Sequence, residues 1–204
     1  MNTKIVKLLL IFSLSFFLVT CIDIDTEIII RQNFTGEISI KYSISKDFIN
    51  IGQIDIYDAF LPLPIEERKY RELAANVNGL VLRSFRQEET EAELLITVRY
   101  EFSNIDALNA VISNSNDTKI EVQSRGERVY YTQKISNNDK PASEEALKFA
   151  QALFPERYVK LRLIVPQNIQ TVNSGAIRGN SAEVSYNLIQ LLATTDSVTW
   201  EVSW

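Results

Sequence analysis

Cys21 carries the one thiol of this 204-residue chain, and no histidine occurs anywhere in it. The commonest general base and the commonest zinc ligand are therefore both missing. What remains that could do chemistry is a few carboxylate clusters and one serine–lysine spacing. Asp23 and Asp25 lie two apart in an alternating stretch, so their carboxylates point to one side and could hold Ca²⁺. More often such a pair is the wet face of an amphipathic strand. Residues 114–117 and 137–139 offer further oxygen ligands, but they lack the spaced series and glycine of a calcium loop and read as turns. Ser43 and Lys46 have the serine–x–x–lysine spacing of penicillin-binding enzymes. Here that spacing closes a strand, which sends the two side chains to opposite faces. No G-x-S-x-G, phosphate-binding glycine loop or dinucleotide fingerprint is present. The expectation is a protein that is not an enzyme and uses neither metal nor cofactor.

The chemistry that Cys21 itself invites is acylation. Lys4 and Lys7 precede an apolar run of 12 residues, Leu8 to Val19. That is too short for a comfortable transmembrane helix, which needs roughly 20 residues. A basic start, a short apolar core and small residues near its end make an export signal. Leu18, Val19, Thr20 and Cys21 resemble a bacterial lipobox, in which the thiol receives diacylglycerol and the chain is cut just before the cysteine. Thr20 stands where glycine, alanine or serine is usual. Residues 1–20 are thus read as a lipoprotein signal peptide and 21–204 as the mature chain. Two or three acyl chains, at roughly 0.8 kcal/mol per buried methylene, hold a protein permanently. The expected location is the bacterial cell envelope, on a membrane surface. Ile22 rather than aspartate follows the cysteine, so the usual inner-membrane retention signal is absent and the outer membrane is preferred.

Removing residues 1–20 takes away Lys4 and Lys7 and leaves 19 basic against 26 acidic residues, a net charge of −7. Nucleic acid is excluded as a partner, since it needs a basic footprint. Simple electrostatic attachment to anionic lipid is equally disfavoured. With no second cysteine to form a disulfide, an exported domain must be held by its core alone.

That core is legible as periodicity. Ile22, Ile24, Thr26, Ile28 and Ile30 share one face, and Asp23, Asp25 and Glu27 the other. After turn residues 32–36, Ile38, Ile40, Tyr42 and Ile44 alternate with polar residues, giving a half-buried hairpin. Residues 66–77 predict a helix with Leu73 and Val77 inward, stopped at Asn78-Gly79. Strands follow over 80–88 and 92–102. Ser103 is expected to cap a short helix with Ile105, Leu108 and Ile112 inward. A second hairpin spans 119–124 and 128–135, a helix 143–154, and further strands 158–165, 182–186 and 198–204. Adjacent strand pairs with helices inserted between them predict an α+β fold: a mainly antiparallel sheet with about three helices packed on it, in a single domain.

The carboxy-terminal third carries a pattern of its own. A strand, Leu161 to Val165, ends at Pro166 and is followed by Ile169, Asn173-Ser174-Gly175, Gly179-Asn180 and a closing apolar strand. This resembles the LppM-like bacterial lipoprotein domain, which also opens with a hairpin directly after the lipidated cysteine. That family often has tryptophan on the short strand near which Tyr186 stands here. The resemblance implies an α+β envelope domain associated with lipid or lipoglycan, and it carries over no catalytic residue.

One stretch favours binding from its own composition. Phe60, Leu61 and Leu63 crowd a segment that Pro62 and Pro64 keep out of any sheet. They would suit a lid over a lipid pocket, a partner contact or a membrane-dipping edge, or they simply cover the sheet as core. Two functions follow. The first is a membrane-anchored module that binds a lipid or other amphiphile. The second is a structural or assembly lipoprotein that docks another envelope protein.

Overall fold

The computed structural model describes residues 24–46, 64–112, 118–136, 143–153 and 157–204. Strand β1 (Ile24–Ile30) buries Ile24, Ile28 and Ile30 and leaves Asp25 exposed, as its alternation requires. It pairs antiparallel with β2 (Gly36–Ser45), Ile28 opposite Ile38. Gly36 closes that hairpin because a Cβ there would lie 1.8 Å from the Ile29 carbonyl oxygen. Beyond β2 comes β4 (Glu93–Phe102), and beyond that the edge strand β3 (Leu80–Glu89).

The other side of β1 is taken by β7 (Tyr158–Ile164), which runs parallel to it with Ile24 opposite Val159. Strand β10 (Ser181–Asn187) pairs antiparallel with β7, and the short β9 (Ala176–Arg178) completes the sheet. A second, four-stranded sheet holds β5 (Ile120–Arg125), β6 (Arg128–Ser136), β11 (Val198–Ser203) and β8 (Thr171–Val172), in that order. Helices α1 (Glu67–Asn76), α2 (Ile105–Ile112), α3 (Glu144–Leu153) and the six-residue α4 (Leu188–Ala193) fill the connections.

The α+β class and the mainly antiparallel pairing are as the periodicity predicts. Two features differ. The strands divide between two sheets rather than lying in one, and β1–β7 is a parallel pair. Alternation reports which face of a strand is wet but not which strand sits beside it. Parallel neighbours need a long crossover, and the whole chain from β2 to α3 supplies one. Asn104, not Ser103, caps α2: its Oδ1 accepts from the Ala107 amide at 2.8 Å.

One apolar cluster joins the two sheets. It takes Ile38, Tyr100 and Leu163 from the first and Ile120, Tyr131, Trp200 and Val202 from the second. Helix α2 bridges them, and Asn109 on it holds both backbone groups of Ile120, donating to the carbonyl at 2.9 Å and accepting from the amide at 2.7 Å. Past β7, the Val165 amide donates to the Asn180 carbonyl at 3.0 Å and the Asn180 side chain returns a bond to the Val165 carbonyl. This tie fixes the proline-ended strand to the following turn.

Strand directions define the proximal end of the first sheet, where β1 and β7 begin and β2, β3 and β10 finish. Because Ile38 is fully enclosed while Lys41 is exposed, the two should respond oppositely to truncation. Ile38→Ala is expected to cost about 3 kcal/mol in a denaturant or thermal melt. Lys41→Ala should stay within about 0.5 kcal/mol of the parent.

Candidate functional site

Cys21, Phe60, Leu61 and Leu63 all lie outside the described residues, as do Asp23, 114–117 and 137–139. The residues that border them are well placed. Strand β1 starts at Ile24, three residues after Cys21 in the sequence. Pro64, which ends the proline-broken segment, is pinned through its backbone. The hydroxyls of Tyr42 on β2 and Tyr70 on α1 both lie within hydrogen-bond distance of the Pro64 carbonyl oxygen and of each other. Tyr100 donates to the Tyr70 carbonyl at 3.0 Å, and its ring sits 6.4 Å from that of Tyr70. The sequence reading missed this tyrosine cluster. Tyr70 falls at helical spacing from Leu73 and Val77, so its inward position was available from the pattern.

Two surface grooves occupy the wet faces of the two sheets. The first, of about 610 Å³, runs across β2, β1, β7 and β10 and is lined by Asp25, Glu27, Ser39, Lys41, Lys160 and Arg162. Its charges alternate across the strands. Lys160 reaches Asp25 at 3.9 Å, and Arg162 lies between Glu27 at 3.3 Å and Glu183 at 3.4 Å. Gly175 and Ala176 close one side. Gly175 has φ +94°, and a Cβ on it would meet the Glu183 carbonyl oxygen at 2.0 Å, so the wall can approach this closely only without a side chain. Asp25, considered from sequence as half of a cation pair, is thus engaged by a lysine. Among the described residues no three of His, Cys, Asp and Glu are grouped to hold a metal ion.

The second groove, of about 500 Å³, lies over β5, β6, β11 and β8. Glu121, Gln123, Thr132 and Glu201 line it, and the Arg125 guanidinium sits 5.4 Å above the Tyr130 ring. Thr171 and Ser203 share a hydroxyl hydrogen bond of 2.6 Å at its edge. Ser43 is buried in β2 and Lys46 pairs with Glu89 at 2.6 Å, so their spacing assembles no serine–lysine dyad. Both grooves are suited to holding a polar group by hydrogen bonds and charge.

Burial acts on the tyrosines in one direction. It pushes Tyr70 up to about 12, with the Tyr42 hydrogen bond partly opposing, and lifts Tyr131 well above the usual value and Tyr186 above it. A tyrosine whose pKa is raised on folding contributes stability that is whole below about pH 10, where the unfolded chain begins to ionise. That stability is lost as the pH climbs toward 12 for Tyr70. Alkaline titration of the melting temperature should therefore be level to about pH 10 and then fall. Tyr70→Phe should fall less steeply, with its lower stability already present at pH 7.

No family model matches this chain, and no curated protein matches it in sequence. Among solved structures, the folded domain of Mycobacterium tuberculosis LppM, determined by NMR, superposes with a TM-score of 0.51 at 8% identity. The overlap covers 90% of this chain and 89% of that one. Identity this low speaks to architecture alone, and in architecture the chain has an LppM-like fold.

Proposed function

We propose that this chain is a lipid-anchored protein of the bacterial cell envelope, non-enzymatic, whose domain binds the polar part of an amphiphile. The observation that carries the reading is the position of β1. A strand that enters the centre of the sheet three residues after Cys21 holds the domain against whatever surface the cysteine is fixed to. The shared fold with the LppM domain supports the same reading. Among the described residues no helix is long and apolar enough to cross a membrane. In this reading, acyl chains on Cys21 supply the attachment.

The groove over β2, β1, β7 and β10 is the feature that favours a ligand. Its volume of about 610 Å³ lies within the range of small-molecule sites, roughly 300–1,000 Å³. Its alternating cations and carboxylates suit a head group rich in hydroxyls or carrying a charge.

Cys21→Ser should leave an uncleaved precursor or release the chain to the soluble fraction on cell fractionation. A cleaved, membrane-retained Cys21→Ser protein would remove the lipid anchor from the account. For the groove, the test is mass spectrometry of amphiphiles that co-purify with the native chain and with Ser39→Trp, which fills the groove from its floor. Loss of the co-purifying species at an unchanged melting temperature is the expected result. Equal retention by both proteins rejects the groove, and it leaves a tethered domain that docks a protein partner as the better reading.

A further inference from the structure

Arg157 is the one charged side chain among the described residues that is buried, at 9% exposure. It lies at the proximal end, just ahead of β7, where its carbonyl accepts from the Leu188 amide at the start of α4 at 2.8 Å. Position parity places it with Val159, Leu161 and Leu163, on the core side of the sheet. None of the ion pairs among the described residues includes it. Its Nε is enclosed and has no hydrogen-bond partner. Arg162, five residues along, shows the contrast: half exposed, it is nonetheless held by two carboxylates.

A guanidinium cannot shed its proton to escape burial, so a cation in this position calls for an anion. Its planar fork matches the oxygens of phosphate and carboxylate better than any other side chain does. The parallel register carries the argument to a location. Ile24 stands opposite Val159, so Arg157 lies two residues further toward the proximal end, just ahead of β7. We propose that Arg157 is the receiving group of an anion site at the proximal end, and that its ligand is a phosphate monoester or diester. Two sources present that chemistry there: the head group of an anionic phospholipid and free phosphate. Only the lipid source rests on the anchored reading given above. The site itself does not.

The test uses the full chain purified in an uncharged detergent, melted in three conditions at matched ionic strength. These are inorganic phosphate, phosphatidylglycerol doped into the micelles, and phosphatidylcholine doped likewise. Phosphate also stabilises proteins generally by exclusion from their surfaces, so the readout is the difference between native chain and Arg157→Gln. The native chain should show a saturable rise in Tm of about 2–4 °C that Arg157→Gln lacks. Arg157→Lys should keep part of it, as a point charge without the fork. A response to phosphatidylglycerol exceeding those to phosphate and phosphatidylcholine assigns the lipid source. A response to phosphate that phosphatidylglycerol does not extend keeps the site and makes free phosphate its ligand. Repeating the phosphate arm on Cys21→Ser separates the site from the anchor, because the shift should survive there. An equal response in native chain and Arg157→Gln overturns the proposal. So does failure of both Arg157 variants to fold when the native chain shows no anion dependence, since the cation then serves the fold alone.

Discussion

Everything in the first sheet depends on β1 being hydrogen-bonded along both sides. Its antiparallel ladder to β2 and its parallel ladder to β7 join two halves of the chain that are 135 residues apart at the Ile24–Val159 pair. Without that strand, β3, β4 and β2 would form one three-stranded antiparallel sheet and β7, β10 and β9 another. Three strands with one apolar face are close to the minimum for independent stability, so neither half is a comfortable structure alone. Ile24, Ile28 and Ile30 then supply the apolar row against which residues from both sheets pack. Stability and topology thus converge on seven residues.

Legibility in the sequence followed the range of the forces involved. The hairpin of β1 and β2, the β3–β4 pair and the helices over 67–76 and 105–112 were readable because side chains two or four residues apart must share a face. Glycine turns were readable for an equally local reason. What escaped was long-range. The partnership of Glu27 with Arg162 exists only because β7 lies beside β1, and nothing in either strand names the other. The same holds for the division into two sheets, which depends on β11 returning to β6 rather than extending the first sheet. The cap on α2 was misplaced by one residue, from Ser103 to Asn104, because either side chain can accept from the first turn.

The candidate site divides in the same way. Cys21 stands out by composition and by the apolar run before it, and no fold is needed to notice it. The groove on the wet face could be anticipated only as a list of polar residues, since its shape comes from four strands and from the close approach of Gly175. Arg157 was invisible. A lone arginine after a helix looks like any surface charge until its burial is known.

The placement of β1 also has a mechanical consequence. For a chain tethered at Cys21, any drag on the domain arrives at the start of β1 and is directed along the strand. The ladder bonds run across that direction, at right angles to it toward β2 and slanted toward β7. They are therefore loaded together in shear rather than peeled one at a time from a free end. A tether on the edge strand β3 or β9 would load a single ladder. A pull that entered at the start of β1 would meet both ladders at once.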